Sequence, residues 1–175
     1  HRLDKDTSGV MVAARSQRGR ESLIEQFKQH SIEREYLALV IGHPPPSAIY
    51  DTPYGRHPVR RKQFTTRIRE GKRAVTHMRL EELLHGSALV SCRLQTGRTH
   101  QVRVHLSEHG FPVVADRQYG RFSRDERIRE ATARIGRHAL HAAVLGFDHP
   151  LSGERLRFTS PLPEEFRMAM AALRE

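Results

Sequence analysis

The apolar residues of this chain come in short runs closed by glycine or proline, and runs of that kind fit strands better than long core helices. Residues 9–14 (GVMVAA) form one such run and read as a buried strand. Glu33–Ile41 (EREYLALVI) is strand-like as well, stopped by Gly42 and then by Pro44-Pro45-Pro46, which force an extended connection. Residues 74–82 and 88–94 follow, with His85-Gly86 between them as a hairpin turn. Residues 140–147 and 156–159, on either side of a Ser152-Gly153 turn, complete the set. Helical spacing occurs in Leu23, Ile24 and Phe27, in Val102 and Leu106 ahead of a Gly110 cap, and in Phe166, Met170 and Leu173 after Pro163. Strands and helices do not alternate regularly. The expected fold is therefore α+β, with a mixed, mostly antiparallel central sheet flanked by helices in a single domain of 175 residues.

Charge narrows the function. The chain carries 30 Lys+Arg against 20 Asp+Glu, a net charge of +10. Only four of those cations are Lys and Asn is absent, a bias that gene composition alone can produce. Distribution says more than the total: Arg56, Arg60, Arg61, Lys62, Arg67, Arg69, Lys72 and Arg73 stand within 18 residues that hold one anion, Glu70, with Tyr54 and Phe64 close by. A field this one-sided, interleaved with aromatics, fits a phosphate backbone better than a generic solvated face. Residues 117–137 repeat the bias with seven Arg and read as a surface loop and helix. No apolar run approaches the roughly 18 residues needed to span a bilayer, and the opening residues lack the apolar stretch of a signal peptide. The lone Cys92 can form neither an internal disulfide nor a thiolate metal cluster. A cytoplasmic, RNA-binding protein with no membrane partner is expected.

Three segments carry chemistry. HRLDKDTSG (1–9) puts Asp4 and Asp6 in a polar turn just before a strand, where a side chain can be held rigidly, although turn formation alone would also explain them. In REYLALV (34–40) Tyr36 interrupts an apolar strand, and LQTGRTHQVRVHL (94–106) precedes GFPVVADRQYG (110–120). In this order and spacing the segments resemble the RluA-like pseudouridine synthases over residues 1–159. RHALHA (137–142) and FTSPLP (158–163) are similar to that family's closing segments. Departures are small: Val10 stands where Leu or Ile is common, and Ala115-Asp116 where Gly-Asp is usual.

The resemblance implies that Asp4 is the nucleophile, that Tyr36 stacks on the target base, and that Arg98 is the cation paired with Asp4. It also implies a mixed sheet with the cleft across its centre and arginine-rich loops on either side. Isomerising uridine means breaking a glycosidic bond, turning the base over and rejoining it through carbon without losing it, for which a carboxylate nucleophile, a lid and a dry pocket suffice without cofactor or metal. The expected RNA contacts are Arg2, Arg56, Arg60, Arg61, Lys62, His100 and Arg103, with His100 and His105 orienting backbone or RNA near Arg98. Large-subunit ribosomal RNA is the favoured substrate, because HPVRRK (57–62) resembles the ribosomal members, and tRNA is the other candidate. Two rival readings remain: a non-catalytic RNA-binding domain, and a zinc peptidase built on His105-x-x-Glu108-His109. In the family, strands and often a small RNA-binding domain precede the aspartate motif. Residues 1–175 are thus expected to be a catalytic-domain fragment, poorly active and self-associating alone, with the full-length protein monomeric.

Overall fold

The computed structural model describes residues 1–174. The strands are β1 (Ser8–Gly9), β2 (Glu33–Ile41), β3 (Ser47–Arg56), β4 (Phe64–Thr65), β5 (Lys72–Leu84), β6 (Ser87–Leu94), β7 (Leu140–Asp148) and β8 (Arg155–Thr159). The helices are α1 (Gln17–Lys28), α2 (Gln101–Glu108), α3 (Glu126–Ile135) and α4 (Glu164–Arg174). The strand order is β1-β7-β2-β6-β5-β3-β4, with β8 also paired to β7. Every pairing is antiparallel except that of β1 with β7, so the α+β, mostly antiparallel reading holds. The outer edge of β7 is divided between two partners: His141 and Ala142 pair with β1, and residues 144–148 pair with β8. That division brings the amino-terminal segment against the start of β7.

The central strand β2 lies between β6 and β7, and its residues 38–41 are all buried, which is why that stretch is continuously apolar rather than alternating. Its register against β7 slips at Glu35/Tyr36, a bulge that re-aims Tyr36. Ile128, Ala131 and Ile135 of α3 and Phe166, Met170 and Leu173 of α4 join the main core, as do Val102 and Leu106 of α2. A separate cluster of Leu23, Ile32, Leu145 and Phe147 seats α1 against β7.

One expectation fails here, and one strand is not anticipated. Residues 9–14 are not a buried strand: β1 ends at Gly9 (φ +112°), and Met11, Ala13 and Ala14 are exposed while Val10 and Val12 pack on the α1 cluster. At a sheet edge only alternate side chains find a partner, and an all-apolar run hides that alternation. A Cβ at position 9 would collide with the Ala142 backbone, so glycine is required by both conformation and space. Strand β3 is the second difference, because Asp51, Pro53 and Gly55 disguise it as a loop. Eight register pairs with β5, from Ser47↔Arg79 to Tyr54↔Lys72, impose it from outside. Pro53 is tolerated close to the sheet edge.

The H-x-x-E-H pattern is structural. His105 is fully buried, with Nδ1 against the Thr76 hydroxyl (2.8 Å) and Nε2 against the Thr52 hydroxyl (3.1 Å). Glu108 binds Thr65 and Thr66, and His109 stacks on Tyr50. Both nitrogens of His105 are thus committed, leaving no lone pair for zinc. Burial, reinforced by His109, pushes the His105 imidazole down to about 4. An unfolded histidine takes up its proton near pH 6.5, whereas this one stays neutral until about 4. Stability from His105 is therefore present above pH 6.5 and is lost as pH falls toward 4, by at most about 3 kcal/mol. Thermal melts at stepped pH should give a flatter curve for His105→Leu than for the parent across that window. Parallel curves would refute the assignment.

Candidate active site

The segment leading into β1 is held by three hydrogen-bonded anchors. The Thr7 N–H donates to the Asp4 carbonyl (3.0 Å), closing a tight turn in which Asp6 adopts φ +73°. The Thr7 hydroxyl meets Nε2 of His138 at 2.7 Å. His141 gives its Nε2–H to the Ser160 carbonyl (3.0 Å), so its Nδ1 accepts from the Ser8 hydroxyl (2.8 Å), whose oxygen in turn accepts from Arg137 (3.1 Å). Burial lowers the pKa of both histidines, keeping each a neutral hydrogen-bonding hinge. The TSG and RHALHA motifs are thus two halves of one clamp, and its effect is to fix Asp4.

Asp4 accepts from a terminal nitrogen of Arg103 at 3.2 Å. The Arg103 side chain is 6% exposed, and its other two nitrogens grip Asp116 bidentately at 2.7 and 2.9 Å. Asp116, 1% exposed, also accepts the N–H groups of Gln118 and Tyr119. Burial works against the charge of both groups but their mutual contact outweighs it, so the Arg103 pKa rises and that of Asp116 falls. Arg103 also lies over the Tyr119 ring, at 5.1 Å. Asp116 follows Ala115 at φ +61°, the left-handed conformation that explains why glycine is usual at that position. The ion pair expected between Asp4 and Arg98 falls instead to Arg103, five residues later and within the first turn of α2. Arg103 is correspondingly not a free RNA contact, because its charge is committed to two carboxylates.

Arg98 lies in the turn before α2 and donates Nε to the Arg73 carbonyl (3.1 Å). That turn is pinned by buried Gln101, whose Oε1 accepts from the Thr96 hydroxyl and the Arg98 N–H while its Nε2 donates to the Val75 carbonyl. Most of the TGRTHQ motif thus builds the turn rather than touching the carboxylate. A cavity of about 190 Å³ gathers Asp4, Tyr36, Arg98, His100, Arg2 and Arg34 on its walls. Tyr36 is half-buried, and burial raises its phenol pKa, so at neutral pH it is an uncharged aromatic surface.

Arg34 was not singled out in the sequence, where it is one arginine among 26. Its side chain is buried, lies 5.3 Å from the Phe27 ring centre, makes only a long bond to the Gln95 carbonyl (3.4 Å), and leaves Nε without a partner. Among the described residues no carboxylate pairs with it. A Cβ at Gly97 would strike its guanidinium, so the glycine of TGR makes room for this cation. A buried charge with no anion is costly unless it serves a ligand.

The remaining expected contacts fall in two places. Arg2 and His100 are in the cleft, His100 bonded through Nδ1 to the Tyr119 hydroxyl (2.8 Å) with its pKa lowered by burial. Arg56, at the end of β3, and Arg60, Arg61 and Lys62, on the β3–β4 connection, are exposed, with Arg56 over Phe64 at 5.0 Å. His105, far from free, is locked on the buried face of α2 by Thr52 and Thr76. The arrangement is a rigidly held carboxylate beside an aromatic, inside a cleft walled by cations: a site suited to group chemistry on a nucleotide.

Residues 1–108 match the family model described as RNA pseudouridylate synthase, and the chain belongs to that family. The ribosomal large subunit pseudouridine synthase D of Nitrosomonas europaea is 43% identical over 174 residues, covering 99% of this chain and 50% of that protein. The protein of the same name from Pseudomonas aeruginosa is 39% identical over 180 residues, covering 100% and 56%. Among solved structures, human RNA pseudouridylate synthase domain containing 1 superposes with a TM-score of 0.76 at 31% identity, covering 93% of this chain and 68% of that one. The chain spans about half the length of the curated relatives it matches.

Proposed function

We propose that this chain converts uridine to pseudouridine in structured RNA of the large ribosomal subunit, in the cytoplasm, with Asp4 as nucleophile. The observation that carries this reading is the carboxylate of Asp4, fixed by the Thr7–His138 and Ser8–His141 clamp and by Arg103, facing the same cavity as Tyr36. The Asp4 carboxylate bonds to C1′ as the C1′–N1 bond breaks, the base turns over, C5 bonds to C1′ as the carboxylate leaves, the C5 proton goes to solvent and N1 gains a proton. Tyr36 supplies a flat neutral surface for the extruded base. Arg103 orients the carboxylate, and the unpaired charges of Arg34, Arg98 and Arg2 draw the phosphates of the target nucleotide to the cleft. The ribosomal substrate is supported by the relatives' names.

Tritium release from RNA carrying uridine labelled at C5 tests the reaction, and no release from any large-subunit RNA fragment would overturn it. Every step is assigned to protein side chains, so excess EDTA in monovalent salt should leave turnover intact. Arg34→Met gives a further test. Removing a buried, anion-free cation should leave the melting temperature unchanged or raised, while kcat/KM falls at least about tenfold. A destabilised but fully active variant would make Arg34 structural only.

A further inference from the structure

Three cavities run end to end from the catalytic cleft. The cleft shares His100 with a neighbour of about 350 Å³, and that one shares Ala115, Arg117 and Gly136 with a third of about 590 Å³. The third lies between loop 115–123 and α3. Helix α3 buries Ile128, Ala131 and Ile135 in the core, which turns Arg129, Thr132 and Ala133 toward this cavity. Arg117, Arg121 and Arg129 are exposed there, and among the described residues none of them makes an ion pair. The carboxylate in its wall, Asp116, is already neutralised by Arg103, and Asp6 in the middle cavity stands beside Lys5. The trough is therefore cationic along its length.

Phe122 lines the far cavity with 78% of its surface exposed, between Arg121 and Arg124. A large ring left in water contributes nothing to the fold. A track of unpaired arginines with an open aromatic face is the physical signature of a single-strand nucleic-acid path, in which cations follow the backbone and a base stacks on the ring.

We propose that this trough carries the unpaired RNA strand flanking the target nucleotide, with phosphates on Arg117, Arg121 and Arg129 and one base stacked on Phe122. The inference deepens the proposed function and rests on it for the identity of the strand. Its volume is within the range that holds a ligand the size of a nucleotide. The segment was legible in the sequence only as a charged stretch, 117–137, distinct from the basic ribbon at 56–73. The two segments touch where Gln63 donates to the Gln118 carbonyl (2.7 Å) and Gln118 donates to the Lys62 carbonyl (2.6 Å), so the ribbon adjoins the trough.

The test is binding, measured by fluorescence anisotropy with a fluorescein-labelled single-stranded RNA of about 12 nucleotides containing one uridine. Phe122→Ala and the double variant Arg121→Glu/Arg129→Glu change only exposed side chains. The double variant should bind at least about tenfold more weakly, and its slope of log K against log salt should be shallower by roughly 1.4, from two lost single-strand phosphate contacts. Phe122→Ala should lose about 5- to 100-fold. One abasic position along the RNA should weaken the parent by the same factor yet leave Phe122→Ala unaffected. Unchanged affinity and slope in both variants, or abasic losses that are equal in parent and Phe122→Ala at every position, would overturn the trough. Tritium release by the parent protein on a labelled target RNA is scored separately. Its absence alongside intact affinity changes would overturn the proposed reaction and leave the trough standing.

Discussion

Asp4→Asn is expected to release no measurable tritium from C5-labelled RNA, a loss of at least about 10⁴-fold, while RNA affinity stays within about twofold of the parent. The substitution replaces one carboxylate oxygen with an amide and removes the nucleophile. The turn over residues 4–7 survives, because it is closed by the backbone bond from Thr7 and by the Thr7–His138 contact, neither of which uses the Asp4 side chain. Arg103 keeps its bidentate grip on Asp116, so no buried charge is orphaned. Affinity is set by cations elsewhere, and removing an anion from a cationic cleft cannot weaken a polyanion's attraction to it. Substantial turnover by Asp4→Asn or Asp4→Ala would refute the mechanism, whatever the affinity.

Arg103→Leu should cost more in stability than any surface change in the molecule. It strands the Asp116 carboxylate, 1% exposed, with two backbone N–H groups and no cation, a situation that typically costs about 3–5 kcal/mol. For a chain of this length that is a fall in melting temperature of the order of 10 °C. The effect steepens with pH in a defined direction: Asp116 has its pKa lowered in the folded state, so its contribution is present at neutral pH and disappears as acid protonates it. The double variant Arg103→Leu/Asp116→Leu should recover most of the melting temperature, because an apolar pair replaces the buried ions. Activity should not return, because Asp4 remains unheld. Calorimetry and tritium release on the three proteins decide it. A double variant that regains turnover would show that Arg103 matters only for folding.

Much of the fold was legible in the sequence, and the reasons are local. Strand β2 carries the apolar run 37–41 ended by Gly42, the β5–β6 hairpin turns at Gly86 with φ +53°, and α2 ends before Gly110 at φ +93°. Each signal is written in the residues that obey it. Strand β3 was not legible because its own residues argue against a strand, and only the register with β5 overrides them. The site divides in the same way. Asp4 and Tyr36 could be named from motifs, and both line the cleft. The cation beside Asp4 was misassigned because TGRTHQVR offers two arginines, and which of them reaches the carboxylate depends on where Gln101 pins the turn and where Asp116 stands.

Sequence alone determined the strand and helix periodicities, the basic character, and the motif order that marks the nucleophile's segment. Those properties depend on neighbours within a few residues, or on composition, and a linear chain records both. Tertiary structure decided the pairing of Asp4 with Arg103 and the burial of Arg34 without an anion. It also showed that TSG and RHALHA form one clamp and aligned Arg117, Arg121 and Arg129 beside Phe122. All of these join residues far apart in the chain: Asp4 and Arg103 are separated by 99 positions, and Ser8 and His141 by 133. A charge or a hydrogen bond acts across a few ångströms of space, and only the folded sheet brings such distant residues within that range.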